Sequence, residues 1–358
     1  MKQIELKGCN QERLEEIAAQ FGQPAYRGRQ LFHWMYARNV SDFVQMGNLS
    51  KDFREKLATE TALHSVHLAK RQISARGDAE KFLFRLHDGR HIESVLMRND
   101  ENAHRRLTLC ISSQVGCPID CKFCATGSMG LLRNLTIGEM VDQILAVNRL
   151  SSEKVTNVVV MGMGEPFLNY ENLIAACELL CDEEATNFAR RHIVISTSGI
   201  IPKILRFTKE GRKYRLAISL NATTDEARTR LMPLNKKYPI AKLLEAARTY
   251  VHASGNRLTF EYVLLAGIND TPDDAARLRT LLTGIDCKLN LIPFNAVDGA
   301  FQRPSFQVIE DFYGRLKNSP FPVTVRWSKG DDIDAACGQL VTKAEQKDDV
   351  EESEPIGR

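Results

Sequence analysis

Hydrophobic and polar positions change their period twice along the chain. Residues 1–65 carry helical patterns in short runs. Asn10-Gln11-Glu12 opens the first, with Asn10 as its cap and Leu14, Ile17 and Ala18 as its apolar stripe. Gly22-Gln23-Pro24 breaks it. A second run, Arg27 to Met35, carries Leu31, Phe32 and Trp34. A third, after Ser41, carries Phe43, Val44 and Met46, and Ser50 caps a fourth, KDFREKLATE. From 66 to 104 the pattern alternates. KFLFRLHDG and RHIESVLMR read as strands joined at Asp88-Gly89, a strong hairpin signal. From 105 to 344, strand patterns (LTLCISS, NVVVMGMG, HIVISTS, RLAISLNA, LTFEYVLL, KLNLIPF, VTVRW) alternate with helical ones such as IGEMVDQILAVNRL and ENLIAACELLCDEE. That alternation predicts an α/β fold with a parallel sheet closed into a partial or full (β/α) barrel. Functional residues then belong on loops at the C-terminal ends of strands. The organisation expected is a helical accessory domain over 1–65, a β-hairpin extension over 66–104, the barrel over 105–344 and an acidic, disordered tail over 345–358.

Composition adds little and excludes some classes. The chain has 358 residues, 43% hydrophobic and 26% charged, ordinary values for a globular protein. No apolar run approaches the length that crosses a bilayer, and MKQIELKGCNQERLEE has no apolar signal core, so a cytoplasmic protein without membrane contact is expected. Net charge is +3, but the tail from Glu345 carries six acids against two bases, leaving the remainder at +7. A mildly basic body is compatible with an RNA partner, and a mixed-charge surface explains it equally well. Tyr26, Arg27, Arg29 and Arg38 set bases beside aromatics, which suits nucleic-acid contact. The plain alternative is core aromatics and surface arginines.

The cysteines change the picture. Nine in a chain without a secretion signal favour metal or redox chemistry over disulfides. Cys117, Cys121 and Cys124 are spaced C-x3-C-x2-C in QVGCPIDCKFCATG, on the loop after the first barrel strand. Three thiolates so close hold three irons of a [4Fe–4S] cube and leave the fourth iron open. A structural zinc ion wants a fourth ligand, which neither Lys122, Phe123 nor ATGSMG supplies. Packed cysteines, or a zinc site completed from afar, are the alternatives. At the end of the second barrel strand comes MGMGEP, where glycines let a ligand approach the backbone and Glu165 suits a cationic amine. An amine-and-carboxylate ligand on the open iron is S-adenosylmethionine-like. Ser196, Ser219, Leu220, Asn221 and Asn295 also fall at strand ends. Cys9, Cys177, Cys181 and Cys287 read as packing, and pattern alone gives Cys110 and Cys337 no better claim.

On these residues the barrel resembles the radical S-adenosylmethionine superfamily. CISSQVGCPIDCKFCATG, RNLTIGEMVDQIL, VVMGMGEPFLN, LMPLNKKYPI and GDDIDAACGQL look more closely like the RlmN/Cfr group of RNA adenine methyltransferases, over most of residues 90–342. GEPFLN and the KGDDIDAACGQL ending resemble the RlmN branch, which methylates adenine C2, rather than the resistance branch, which acts at C8. The resemblance implies a [4Fe–4S] cluster on Cys117, Cys121 and Cys124 and two S-adenosylmethionine molecules per turnover. The first would methylate Cys337. The second would be reduced to a 5′-deoxyadenosyl radical that takes hydrogen from that methyl group, and the resulting methylene radical would add to the ring. Cys110 would then release product from Cys337 as a disulfide, and Glu93 in HIESVLM would accept the ring proton, a step for which Cys110 is the other candidate. Alternation alone makes Glu93 a surface strand residue. By the same resemblance Gly164, Glu165, Ser196, Ser219, Leu220, Asn221 and Asn295 bind the cofactor. Asn221 stands where many relatives have His; it can hydrogen-bond but not titrate near neutrality, so a binding role is implied. The helical module resembles the family's RNA-binding domain. The implied partners are large-subunit ribosomal RNA, tRNA beside the anticodon, and an electron donor such as flavodoxin or ferredoxin; a monomer is expected. Two other readings are a radical enzyme acting on a small molecule and an iron–sulfur or zinc RNA-binding module without chemistry. Only methylene transfer needs both Cys110 and Cys337.

Overall fold

The computed structural model describes residues 3–99, 106–297 and 301–341; the tail expected over 345–358 lies outside them. A short parallel pair, β1 (Ile4–Glu5) with β2 (Thr61–Ala62), closes the N-terminal module. Between them lie α1 (Gln11–Gln20), α2 (Tyr26–Phe32), which runs on into a π-helical turn (His33–Ala37), a 3-10 turn (Phe43–Gln45) and α3 (Lys51–Glu60). Asn10 caps α1 as expected, its side chain accepting from the Arg13 amide at 3.0 Å. Ser50 occupies the cap position of α3 without a side-chain bond.

The rest is built on one ten-stranded sheet. Its antiparallel end comprises β3 (His67–Ile73), β4 (Ala79–Arg85) and β5 (His91–Asn99). The Asp88-Gly89 turn joins β4 to β5, with Gly89 at φ +83. β6 (Arg106–Ile111) pairs antiparallel with β5 on one side and parallel with β9 (Asn157–Val160) on the other, so the hairpin strands continue the barrel sheet directly. After β6 come a small hairpin, β7 (Gln114–Gly116) with β8 (Leu131–Asn134), the short α4 (Ala125–Ser128) between its strands, and then α5 (Ile137–Leu150). The chain then winds through α6 (Tyr170–Cys181), β10 (Ile193–Thr197), α7 (Ile201–Lys209), β11 (Arg215–Ser219), α8 (Asp225–Leu231) and α9 (Ile240–Ser254). It finishes with β12 (Leu258–Leu264), α10 (Pro272–Leu282), β13 (Cys287–Pro293), α11 (Phe306–Leu316) and β14 (Val323–Val325). Strands β6 and β9 to β14 are parallel, and the sheet order leaves β14 and β3 as edges, an open partial barrel.

Local chemistry sets these elements. Thr136 with Glu139, and Thr271 with Asp274, form capping boxes at the starts of α5 and α10. The runs VVV in β9 and IVIS in β10 are apolar almost throughout because helices cover parallel strands on one side and the barrel interior fills the other. One core runs from the N-terminal module (Leu14, Phe53, Leu57) into the barrel (Val158, Ile195, Phe260). At their junction Asp142 of α5 is fully buried. It accepts from the Ser65 and Val66 amides at 2.8 and 3.2 Å and pairs with Arg149 at 3.2 Å. Burial would raise its pKa, but His64, Lys7 and Arg149 hold the carboxyl well below the usual range. Cys177 packs in the core and Cys181 is half-buried beside it.

Candidate active site

All parallel strands point their C-terminal ends to one side, and the loops there carry the cysteines. The chain leaves β6, turns through the β7–β8 hairpin and reaches Cys117 from Gly116, whose φ is +74. A Cβ on Gly116 would lie 1.9 Å from the Gly130 carbonyl, so only glycine fits. The Cys117 amide donates to that same carbonyl at 2.8 Å. Gly127, on α4, packs closely on the Cys121 backbone, where an added Cβ would lie 2.8 Å from the Cys121 carbonyl oxygen. Lys122 N–H donates to Leu231 O, and Ala125 N–H to Gly338 O at 2.8 Å, which ties the cysteine loop to the segment bearing Cys337.

Cys117, Cys121 and Cys124 are half-buried and line one compartment together with Gly164 and Glu165. Burial pushes the Cys117 thiol up to about 12 and raises the Cys121 thiol well above its ordinary value. Metal binding displaces such protons. Among the described residues no three His, Cys, Asp or Glu side chains gather as ligands of a single ion. A cube asks for something else, since each thiolate takes its own iron. Three thiols within electrostatic reach of one another, on a glycine-shaped loop open to a cavity, fit that need. Arg228 adds to the fit. It is fully buried, donates to the carbonyls of Leu220 (3.0 Å), Ser198 (2.7 Å) and Ser219 (3.2 Å) and to Asn235 Oδ1 (3.1 Å), and directs its charge toward Cys121. A guanidinium held on carbonyls favours an anionic neighbour.

The same compartment holds most of the strand-end residues singled out in the sequence. Gly164, Glu165, Ser196, Ser219, Asn221 and Asn295 line it, and Leu220 does not: its side chain is buried in the main core. Gly164 has φ +104 and its Cα side abuts Gln114. Glu165 is buried, and both its oxygens are taken. Oε1 accepts from Phe167 N (3.0 Å) and Thr197 Oγ1 (2.7 Å), and Oε2 from Ser198 N and Oγ (2.7 Å each). Its lone pairs are spent on joining the MGMGEP loop to the end of β10, so toward a bound amine it offers charge and the neighbouring backbone carbonyls. Burial still pushes its pKa up. Ser196 donates to Glu261 Oε2 at 3.0 Å. Asn221 sits at φ +56, a left-handed position that Asn and His tolerate better than most side chains, and its Oδ1 accepts from Val263 N at 2.9 Å. Asn295 donates to the Cys337 carbonyl at 3.0 Å.

A second compartment adjoins the first; we call the first inner and the second outer. The inner one holds about 160 Å³ and the outer about 410 Å³. Cys124, Met161, Gly162, Ile292, Cys337 and Gly338 line both, which makes them one bipartite cleft. Cys337 stands at the seam. Cys110, buried on β6, lines only the outer part, and its thiol lies within the electrostatic reach of Cys337. Cys337 is accessible, yet its surroundings push its thiol pKa up, as burial does for Cys110. Glu93 is 4% exposed, contrary to its position in an alternating strand, because β5 is covered on both faces here. It pairs with Lys81 at 3.2 Å, accepts from the Val341 amide at 3.0 Å and lines neither compartment. Lys81 in turn donates to Asp334 O at 3.2 Å. The pair thus grips both ends of the Cys337 segment. Burial pushes Glu93 up, opposed by Lys81.

Sequence reasoning passed over Glu261, Arg228 and the Thr197-Ser198 pair. An acid inside the apolar strand LTFEYVLL was the available signal for Glu261; nothing local marked the other three. In the N-terminal module Phe32 and Tyr36 are core, whereas Tyr26 is 42% exposed with Arg27 over its ring at 4.9 Å.

A glycine-shaped three-cysteine loop at the mouth of a partial barrel, opening on a cleft with strand-end glycines, defines a radical S-adenosylmethionine enzyme. Residues 111–278 match the Radical SAM superfamily, and residues 4–63 match the ribosomal RNA large subunit methyltransferase N-terminal domain. The chain is 45% identical over 343 residues (95% of it, 92% of the relative) to the dual-specificity RNA methyltransferase RlmN of Geobacter sulfurreducens. It is 44% identical over 341 residues (94% and 92%) to the probable enzyme of that name from Geobacillus thermodenitrificans. A radical SAM methyltransferase from Sphaerobacter thermophilus superposes with a TM-score of 0.90 at 46% identity, covering 94% of this chain and 99% of that one. The chain belongs to the RlmN family. Membership implies a [4Fe–4S] cluster and S-adenosylmethionine. Among the described residues no helix is long and apolar enough to cross a membrane.

Proposed function

We propose that this protein methylates C2 of an adenosine in large-subunit ribosomal RNA, and of the adenosine beside the tRNA anticodon, through a methylated Cys337. One observation carries the reading: Cys337 stands where two compartments meet, with the cofactor-type residues on one side and Cys110 on the other. A carrier that is loaded on one side and discharged on the other needs that position. The names of the relatives support RNA as substrate.

When bound, the cluster and S-adenosylmethionine supply a methyl cation equivalent in one round and a 5′-deoxyadenosyl radical in the next. Cys117, Cys121 and Cys124 hold the irons, and Gly164, Glu165, Ser196, Ser219, Leu220, Asn221 and Asn295 hold or shape the place of the cofactor. The Cys337 thiolate takes the methyl group, forming an S–C bond. Loss of one hydrogen atom makes its methyl a methylene radical, which bonds to the unreactive ring carbon; the ring radical so formed must give up one electron, for which the oxidised cluster would be the acceptor. Glu93, raised in pKa and bonded to the Cys337 segment, is one candidate to take the ring proton, and Cys110, which lines the outer compartment, is the other. The Cys110 thiolate then attacks the Cys337 sulfur. The S–CH2 bond breaks, the carbon gains a proton to become the product methyl, and a disulfide remains for an external reductant to reopen. An electron donor such as flavodoxin or ferredoxin would supply the electron for this chemistry.

The test is Cys337→Ala. It should form no methylated RNA yet still cleave S-adenosylmethionine to 5′-deoxyadenosine, and Cys110→Ala should accumulate RNA bonded to protein on a denaturing gel. Methylation by Cys337→Ala would overturn the carrier role.

A further inference from the structure

The outer compartment has an aromatic rim that the proposed chemistry does not use. Trp327, between β14 and the Cys337 segment, lines that compartment and is 47% exposed. Phe306, the first residue of α11 and 66% exposed, stacks behind it with ring centroids 5.7 Å apart and planes 19° apart. A tryptophan held flat by a second ring and half exposed is a preformed stacking surface that loses little freedom on binding. Around it the lining carries Arg76, Arg326 and Lys329 against one acid, Asp78. Two of the cations are fixed. Arg326 faces Glu261 at 3.7 Å with its amide on Leu291 O at 2.8 Å, and Lys329 bonds the Arg98 carbonyl. Arg76 is exposed. Behind this rim the cavity leads to Cys110 and Cys337.

We infer that Trp327, backed by Phe306, stacks the nucleobase next to the target adenosine, and that Arg76, Arg326 and Lys329 receive the flanking phosphates. The inference rests on RNA being the substrate and adds how the strand is held. A flat exposed ring beside cations matches a single-stranded nucleic acid: every base has a π-face, and the phosphates answer the positive rim. The adenine reaching Cys337 must leave its own stack, and a surface that restacks its neighbour offsets part of that cost.

The chain has two tryptophans, so Trp34→Phe leaves Trp327 as the sole reporter. A stem-loop RNA with an unpaired adenosine is titrated into this variant anaerobically, with fluorescence and the anisotropy of a labelled RNA followed together. Trp327 emission should quench along the same saturation curve as the anisotropy. Trp327→Ala should weaken RNA binding about 5- to 150-fold and raise KM for RNA, with its thermal midpoint unchanged. Trp327→Phe should restore most of the affinity. An RNA abasic beside the adenosine should bind the parent as weakly as Trp327→Ala binds intact RNA. If the parent binds RNA while Trp327→Ala binds equally well and emission stays constant, the platform is refuted and RNA recognition stands. If the parent binds no RNA, the substrate reading falls and takes the platform with it.

Discussion

Replacing Glu165 with Gln tests how the cleft is held together. Its two oxygens take four hydrogen bonds, from Phe167 N, Thr197 Oγ1, Ser198 N and Ser198 Oγ, at 2.7 to 3.0 Å. A bond to a charged group is worth about 1.5–3 kcal/mol. Gln keeps one oxygen and its two bonds. The Ser198 hydroxyl can turn and accept from the new amide, but the buried Ser198 N–H cannot and is left unpaired. Against this, the ionised carboxylate is itself costly to bury, as its raised pKa records, and Gln removes that cost. The lost and weakened bonds outweigh it, leaving a net loss of about 2–4 kcal/mol. Glu165→Gln should therefore melt about 3–5 °C below the parent in scanning calorimetry. Because residues 161–166 and the end of β10 form two walls of the inner compartment, S-adenosylmethionine affinity by equilibrium dialysis should fall at least about tenfold, which is 1.4 kcal/mol. A midpoint within about 1 °C of the parent, with unchanged affinity, refutes the joining role.

Two other substitutions probe the scaffold. Gly116→Ala drives a Cβ into the Gly130 carbonyl at a left-handed position, so iron and sulfide bound per chain after anaerobic reconstitution should drop sharply while far-UV dichroism is kept. Asp142→Asn leaves the buried Lys7 and the half-buried Arg149 without their counter-charge, and should cost about 3–5 kcal/mol at neutral pH by denaturant unfolding. The Asp142 pKa is depressed on folding, so its stabilisation is present above the ordinary carboxylate value and lost as pH falls through the folded one. The gap between parent and variant should close in acid.

What could be read in the sequence was local. The capped α1, the Asp88-Gly89 hairpin and the runs VVV and IVIS each carry their signal within a few residues, and the C-x3-C-x2-C spacing puts three thiols on one loop. Strands β3, β7 and β8 gave no such signal. HLAKRQI is an edge strand with nearly every side chain exposed, and the β7–β8 hairpin is too short to show a period. Glu93 was misplaced for the opposite reason, since alternation assumes one wet face and β5 has none at that point. The saturation of Glu165 depends on Thr197 and Ser198, more than thirty residues away. The outer compartment draws its lining from residues 76 to 340, and no window of sequence contains it. Cys110 and Cys337 acquire meaning only there.

The most direct measurement is mass spectrometry of nucleosides after anaerobic, cluster-loaded protein is incubated with S-adenosylmethionine, a reductant and protein-free ribosomal RNA. 2-Methyladenosine is the expected product, dependent on both Cys110 and Cys337. An 8-methyladenosine product, or 5′-deoxyadenosine accumulating with no methylated adenosine in either ribosomal RNA or tRNA, would contradict adenine-C2 methylation.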